Sequence, residues 1–481
     1  MRLLYTVLQT LLLSGSTYSA CNKADTTVDE ASEFSLIYGF PLLAYSNLVI
    51  PAFETGVGSN TFIKRTNLSG SDDKDVVRPN TDTLYAASLV DLALNDVIVT
   101  APSITDRYWD LAFYDVYGNN YANVGTIKKT PSGKYHIRYA VEANEQPGLQ
   151  LCDGDCADCK GFINSPTIYG YILTRILVRD NGTDLSKVHD LEDQFCIFPV
   201  ARNCPHKRPA PPLSPDMFYA SLSNDTATKI MQMTARIAPN NPARNISDQS
   251  RVDAMLDKAG IRNGVYTPPA GTDLAKADEQ AKKAVAAHAT KPENFVQVGN
   301  GWSSLVPSAQ GDYYTDYKMR AFVANEGYLA LVATEAVYPT HREPNGDLSL
   351  NVGPREAYLV TFVDDKPPLA PLGFWSMTTY TADQFLVPNS INQYSLGDRS
   401  NLTYPDGEPL YGGTTQKRAF QILVQPADAA PPSNWTSNWL PAPAGGGDFS
   451  LTFRIYGPTK AITNGSYTFP LLEKRSAITN S

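Results

Sequence analysis

The spacing of apolar residues changes several times along the chain. It is helical over residues 30–49 and predicts a helix that ends before Pro51. Over residues 76–139, short alternating or apolar runs separated by Gly, Pro and Asn predict strands joined by turns. Helix-forming composition returns at residues 225–238, 248–259, 273–287 and 316–331. Further strands are predicted at residues 357–362, 374–380, 421–425 and 449–456.

These patterns predict a mainly β protein with a helical insert, an α+β fold built from two β-sandwich or jelly-roll-like domains. At 481 residues the chain is too long for one ordinary hydrophobic core. A proline-rich stretch at residues 196–215 predicts an extended connector. The expected parts are a signal peptide at 1–20, an N-terminal β domain at 21–200, a connector and helical insert at 201–300, and a C-terminal β domain at 301–481.

The first twenty residues have the pattern of a signal peptide. Arg2 is followed by an apolar stretch and then by small residues up to Ala20. We expect no later segment to reach the roughly 20 apolar residues that a membrane-spanning helix needs. The mature protein is therefore predicted to be soluble and secreted.

Two further patterns agree with export from a eukaryotic cell. An even number of cysteines in an oxidising compartment predicts three disulfides, with the pairing left open. A zinc or redox role for the Cys152 to Cys159 cluster is the less favoured alternative. The cysteines are Cys21, Cys152, Cys156, Cys159, Cys196 and Cys204. Sequons that predict N-glycosylated surface loops stand at Asn67, Asn181, Asn224, Asn245, Asn401, Asn434 and Asn464.

Charge and motif content exclude several functions. A formal net charge of −9 argues against sequence-independent binding to nucleic acid or to an anionic membrane. The common signatures of hydrolases, zinc peptidases and nucleotide-binding loops do not occur. The five histidines are scattered, so neither a metal nor a cofactor is predicted.

The segment from Arg78 to Tyr85, RPNTDTLY, carries the first candidate site. Arg78 and Asn80 are predicted to bind substrate, because a guanidinium recognises a carboxylate or phosphate. Asp82 and Tyr85 are the matching candidates for moving a proton. The alternative is structural, since Asn80 and Asp82 can close Asx-turns.

The other candidates lie farther along the chain. Asp312 and Tyr313 precede a predicted helix and are candidate catalytic residues, with Asp312 or Asp316 as its N-cap. Arg320 and Arg399 are predicted to bind substrate. A surface ion pair between Asp316 and Arg320, and a loop ion pair between Asp398 and Arg399, are the structural alternatives.

One predicted strand is unusually aromatic. Its alternation places Tyr108, Asp110, Ala112 and Tyr114 on one face, and Trp109, Leu111, Phe113 and Asp115 on the other. The first face suits a sugar or a flat organic ligand. Aromatic strand residues more often belong to a core, which is the favoured reading.

Several of these motifs together resemble a known pair of families. RPNTDTLY at 78–85 and YANVG at 121–125 resemble domain of unknown function 1254. The motifs EAVYP at 335–339, FWS at 374–376, NQYSLGDR at 392–399 and NWLPAP at 438–443 resemble its usual partner, domain of unknown function 1214. The resemblance implies a predominantly β fold in two domains and carries no established general reaction.

We expect an enzyme that works without a metal and uses Asp, Tyr and Arg side chains on a small oxygenated or carboxylated metabolite. Lyase, isomerase and hydrolase chemistry all fit these residues. The site is expected where the two domains meet. The alternative is a secreted protein without catalytic activity that binds carbohydrate or a partner.

Overall fold

The computed structural model describes residues 26–74, 77–140, 145–152, 158–179, 182–202, 209–341, 349–364, 366–412 and 417–479. The predicted signal peptide, Cys21, Cys156, Cys204 and Asn181 lie outside these ranges. Within them the protein is mainly β with a helical insert, as predicted.

Two helices begin the described chain, α1 (Val28–Gly39) and α2 (Pro41–Glu54). Thr27 and Glu30 form a capping box, in which Thr27 Oγ1 accepts from Glu30 N and Glu30 Oε2 accepts from Thr27 N. The predicted end before Pro51 is wrong. The helical bonding is interrupted at Phe40 because Pro41 has no N–H, whereas Pro51 lies in the final turn of α2.

We expected no segment after the signal peptide to be long and apolar enough to span a membrane, and this expectation is also wrong. Residues Val28–Glu54 together are long and apolar enough. However, 56% of their most apolar window is buried inside the protein, and a buried core helix has the same properties.

Residues 63–200 form a β-sandwich of two five-stranded sheets. The first has the order β1-β2-β9-β4-β5 and the second β10-β3-β6-β8-β7. One core lies between them, with Leu111 and Phe113 from the first sheet and Val97 and Ile137 from the second. The elements are β1 (Ile63–Lys64), β2 (Thr83–Asp91), β3 (Asp96–Ala101), β4 (Trp109–Asp115), β5 (Asn120–Gly125), β6 (Gly133–Tyr139), β7 (Gly148–Leu151), β8 (Gly161–Ser165), β9 (Tyr169–Leu177), α3 (Leu185–Glu192) and β10 (Cys196–Val200).

Three helices follow and pack against α1, the first of them also against α2, and a small hairpin packs against the first two of these helices. They are α4 (Thr226–Ile237), α5 (Ile246–Lys258), β11 (Ile261–Arg262), β12 (Val265–Tyr266) and α6 (Leu274–Ala289). Asp225, Asn245 and Asp273 cap the three helices through their side chains. The approach of α1 to α4 is close, because a Cβ at Gly39 would lie 1.9 Å from Thr234 Oγ1.

The rest of the chain forms a second sandwich. Its larger sheet has the order β13-β14-β16-β23-β19-β20, with β15 and β17 also paired to β23, and its smaller sheet has the order β22-β21-β18-β24. Trp375 and Phe453 of the first meet Phe362 and Phe420 of the second. The elements are β13 (Phe295–Gly299), β14 (Trp302–Leu305), α7 (Tyr317–Glu326), β15 (Ala336–Val337), β16 (Thr340–His341), β17 (Leu350–Val352), β18 (Glu356–Phe362), β19 (Leu369–Thr381), β20 (Ser395–Gly397), β21 (Phe420–Pro426), β22 (Trp439–Ala442), β23 (Gly447–Pro458), α8 (Lys460–Thr463) and β24 (Leu471–Ser476).

The two sandwiches meet through the aromatic face of β4. Tyr108 and Tyr114 pack with Phe374 and Tyr456 of the second sandwich in a separate core between the two bodies. The opposite face of β4, with Leu111 and its alternate neighbours, faces the core of the first sandwich. The predicted alternation of β4 is therefore confirmed, and both of its faces are core.

Candidate functional site between the two sandwiches

Asp82 lies immediately before β2, at the junction of the two sandwiches, and is fully buried. All its carboxylate partners come from the second sandwich. Ser376 Oγ donates to Oδ2 at 2.5 Å, and Ser395 Oγ donates to Oδ1 at 2.9 Å. Arg399 binds Oδ1 through Nε at 2.7 Å and Nη2 at 2.6 Å. The predicted residues Asp82 and Arg399 are thus brought together from positions more than three hundred residues apart.

The charge of Asp82 is stabilised in place. Burial alone would raise the pKa of this carboxyl, but the positive charge of Arg399 and the hydrogen bond from Ser376 outweigh burial and hold the pKa below its usual value. Arg399 Nη2 also donates to the carbonyl of Thr81 at 2.9 Å. Asp82 is therefore an ionised anchor for Arg399.

Asp398, the neighbour of Arg399, has a different environment. Its Oδ1 is buried without a hydrogen-bond partner, and Arg399 is paired with Asp82 instead. The predicted loop ion pair between Asp398 and Arg399 is therefore wrong. Burial, with the nearby charge of Asp82, raises the pKa of Asp398 to about 7, although Arg399 and Arg179 act in the opposite direction.

Two neighbouring cavities meet at Asp398. The first, of about 530 Å³, is lined by residues of both sandwiches: Leu177, Arg179, Gly373, Asp398, Arg399, Ser400, Asn401, Leu402, Thr403, Pro409 and Tyr411. The second, of about 650 Å³, shares Asp398 and Tyr411 with it and adds Lys366 and Lys417. A carboxyl that can gain or lose a proton near neutral pH thus stands at a cleft between domains.

Arg179 supplies the positive charge of the first cavity. It follows β9, and its backbone N–H donates to Asp184 at 2.7 Å. Its guanidinium has no acceptor or ion-pair partner within the described ranges. Neither Arg179 nor Asp398 was named as a site residue. Arg179 belongs to no motif singled out in the sequence, and Asp398, within NQYSLGDR, was assigned to an ion pair with its neighbour Arg399.

The other residues of the RPNTDTLY segment take positions around Asp82. Asn80 Oδ1 accepts from the backbone N–H of Asp82 at 2.6 Å, and its Nδ2 donates to Tyr456 OH at 2.6 Å. The predicted Asx-turn is therefore confirmed for Asn80 and wrong for Asp82, whose carboxylate binds Ser376, Ser395 and Arg399 instead. Arg78 Nε donates to Gln384 Oε1 at 2.6 Å. Tyr85 lies farther along β2, with its ring 5.9 Å from the guanidinium carbon of Arg175.

The predicted residues near α7 lie in a different cluster. Asp312 pairs with Arg244, and Tyr313 is buried. Arg320 is enclosed by the rings of Tyr38, Tyr117 and Tyr317 at 4.6–4.8 Å and donates to the carbonyl of Tyr38 at 2.7 Å. No described contact joins these residues to Asp82. The described contacts therefore place Asp312 and Arg320 in a cluster separate from that of Asp82.

Asp316 has the capping role that was one of two alternatives. Its Oδ1 accepts from Met319 N at 3.0 Å, and its Oδ2 lies 2.8 Å from His288 Nε2. The predicted ion pair with Arg320 is wrong, because that guanidinium points into the tyrosine cage. The predicted helix also ends early, at Glu326, and Leu329 has a positive φ of 65°.

The cysteines and sequons can be located in part. Cys159 and Cys196 are free thiols, so their predicted disulfides are wrong; Cys196 has an exposed side chain on edge strand β10, with no described cysteine against it. Asn67, Asn224, Asn401, Asn434 and Asn464 are exposed, and Asn245 is half-buried at the start of α5.

Among the described residues, no group of three or more His, Cys, Asp or Glu side chains could hold a metal ion.

One solved structure has a fold that agrees with this architecture. The VPA0106 protein from Vibrio parahaemolyticus is 20% identical, covers 93% of this chain and 99% of its own, and superposes with a TM-score of 0.58. An uncharacterized protein from Burkholderia cenocepacia is 12% identical over 94% of this chain and 95% of its own, with a TM-score of 0.43. No curated protein matches.

Two family descriptions match the sequence itself. Residues 59–199 match the family DUF1254, and residues 335–460 match the family DUF1214; both are described as proteins of unknown function. The two matches lie in the first and second sandwich and together span more than half of the chain. The chain therefore belongs to the proteins in which a DUF1254 domain precedes a DUF1214 domain.

Proposed function

We propose that this chain is an enzyme that transfers a proton to or from a small carboxylated metabolite in the cleft at Asp398. The observation that carries the proposal is the position of this carboxyl. It borders one cavity between the sandwiches and a second cavity within the second sandwich, and its pKa of about 7 is near the optimum for a general acid or base at neutral pH. A structural aspartate in a turn would need neither property.

The surrounding charges suggest how a substrate is held. The guanidinium of Arg179 is available for a carboxylate, and it lies in the same cavity as Asp398. When Asp398 removes a proton next to that carboxylate, the negative charge that develops is stabilised by Arg179. Arg399 is fixed by Asp82, so Asp82 acts as a positioning residue. Many isomerase and lyase reactions begin with such a step, whereas in a hydrolase Asp398 would instead take the proton of the attacking water.

We expect Asp398→Asn to lower turnover by at least about a hundredfold, since the amide keeps the shape of the side chain but cannot exchange the proton. The measurement is loss of individual metabolites from a cell extract, followed by mass spectrometry, with purified wild type and variant. The wild-type rate is expected to change with pH around 7. Asp383→Asn, an exposed aspartate, is the control. Equal consumption of the same metabolite by both variants would rule out Asp398.

The alternative is a secreted protein without catalytic activity that binds carbohydrate or a partner. All seven residues of β4 are buried, so this aromatic strand does not supply a binding face for it.

We also propose that the protein is a secreted eukaryotic glycoprotein. Apart from Asn401, which lines the Asp398 cavity, four of the predicted sequon asparagines are solvent-exposed, as attachment of a glycan requires. Cys152 alone among the described cysteines is not a free thiol, so it remains the disulfide candidate. Expression of the full chain in a eukaryotic host should place the protein in the medium, and glycosidase treatment should lower its mass. Retention in the cytosol without a mass change would contradict this proposal.

A further inference from the structure

The cavity within the second sandwich has no role in the proton transfer proposed above. Its volume is about 650 Å³, and all its described lining residues belong to the second sandwich. We call it the lysine cavity, after Lys366 and Lys417 in its lining. A volume in the range of roughly 300–1,000 Å³ is typical of sites that bind small molecules.

The border between the lysine cavity and the cavity of Arg179 is fixed by the core. Asp398 and Tyr411 line both cavities, and both are attached to Trp375 of β19, which is fully buried. The backbone N–H of Asp398 donates to the carbonyl of Trp375 at 3.3 Å, and Trp375 Nε1 donates to Tyr411 OH at 2.7 Å. This side of the lysine cavity is therefore formed before any ligand binds.

Lys366 lies in the wall of the cavity and is partly buried. Its Nζ donates to the carbonyl of Leu410 at 3.1 Å and lies 4.8 Å from the centroid of the Tyr411 ring. Both contacts are neutral, and no carboxylate within the described ranges forms an ion pair with this ammonium group. An ammonium group has three donors, so the contacts hold Lys366 in place and leave donors for an anion.

Lys417 brings a second ammonium group to the same cavity. Its side chain is exposed and has neither a hydrogen bond nor an ion pair among the described residues. Asp364 is the opposing carboxylate in the lining, and Asp398, with a pKa of about 7, is neutral when protonated. The remaining excess of one positive charge matches a singly charged carboxylate better than a doubly charged phosphate.

The lining beside the lysines is mainly apolar. Pro367, Pro368 and Leu369 lead into β19, and Ala461 comes from α8. Thr468, also in the lining, is exposed, so the cavity is open to solvent. A cation pair beside an apolar wall suits a ligand with a carboxylate at one end and an aliphatic chain at the other.

We propose that the lysine cavity is a second ligand site, which binds a small aliphatic carboxylate, with the carboxylate at the two lysines and the chain against the proline-containing wall. This site does not depend on the proposed reaction. It differs from the substrate site because its cations are lysines of the second sandwich, whereas the substrate site uses Arg179 of the first.

Hexanoate is the probe for this proposal, with hexanol as the uncharged control of similar length and acetate as the charged control without the chain. Titrations at about pH 6, below the pKa of about 7 of Asp398, keep that carboxyl mainly protonated. Isothermal titration of the wild type should show hexanoate binding more tightly than either control.

The lysine variants test the position of the carboxylate. Lys366→Gln should weaken hexanoate binding by at least about tenfold, because a charge-assisted hydrogen bond is lost. Lys417→Gln, at an exposed position, should weaken it as well and tests the site should Lys366→Gln fail to fold. Lys283→Gln, which also removes an exposed lysine, is the matched control and should leave hexanoate affinity unchanged.

Arg179→Gln distinguishes the two sites. It removes the cation of the other cavity and should also leave hexanoate affinity unchanged. The proposal is overturned if hexanoate affinity is lost in Arg179→Gln but kept in Lys417→Gln, if hexanol binds as well as hexanoate, or if millimolar hexanoate gives no binding to the wild type.

Discussion

Replacing Asp82 by alanine is expected to lower the free energy of unfolding by about 3–5 kcal/mol, because it leaves the largely buried Arg399 without its anion. The two serines that donate to Asp82 lose their acceptor in the same step. Since all these partners belong to the second sandwich, we expect the substitution to weaken the packing between the two sandwiches. Urea unfolding followed by tyrosine fluorescence measures the change.

A matched control is the exposed ion pair of Asp406 and Arg418. Asp406→Ala removes a carboxylate from an arginine in the same way, but water replaces the lost partner, so little change in stability is expected. If Asp82→Ala and Asp406→Ala have equal effects, Asp82 does not hold the two sandwiches together.

Glu335 should make the protein less stable as pH rises. Burial raises the pKa of this carboxyl from its ordinary 4.5 to about 7, against the effect of Lys128 and Arg175. The folded state therefore binds the proton more tightly than the unfolded state. The stabilisation is complete below about pH 4.5 and is lost as pH rises to about 7, a change of about 3 kcal/mol from one group. Asp110, also buried between the sandwiches, shares this environment, and burial together with Glu335 raises its pKa well above the usual value.

Glu335→Gln removes the titration and keeps the neutral form of the side chain. We expect the variant to match the wild type at about pH 4 and to be more stable at about pH 8, as measured by thermal unfolding across this range. Asp398 contributes a dependence of the same sign, so the difference between variant and wild type is the informative quantity. Glu293→Gln, at an exposed position, should not alter the pH profile. A profile of Glu335→Gln that is parallel to the wild type would contradict this assignment.

The strands were predictable because local pattern and burial agree. The alternation in β4 identified both faces correctly, since each is buried against a different core. The Asx-turn at Asn80 and the helix cap at Asp316 could likewise be predicted from the sequence, because each hydrogen bond joins residues only two or three positions apart.

The site was less predictable because its contacts are long-range. Asp82 and Arg399 were both named, but their pairing depends on how the two sandwiches dock. Asp398 was assigned to an ion pair with Arg399. In the fold Arg399 binds Asp82 instead, and the pKa of Asp398 is about 7. Arg320 was expected at a site, yet three tyrosine rings from α1, α7 and the turn after β4 enclose it.

The helices α4, α5 and α6, which end at Ala289, cover α1 and α2, and this order along the chain affects folding during synthesis. The most apolar described segment, Val28–Glu54, leaves the ribosome well before its covering helices, which begin at Thr226 and end at Ala289. At roughly 5–20 residues per second, α1 and α2 stay uncovered for about ten seconds or longer. Nascent chains should therefore depend on a chaperone that shields this segment until α6 has been synthesised.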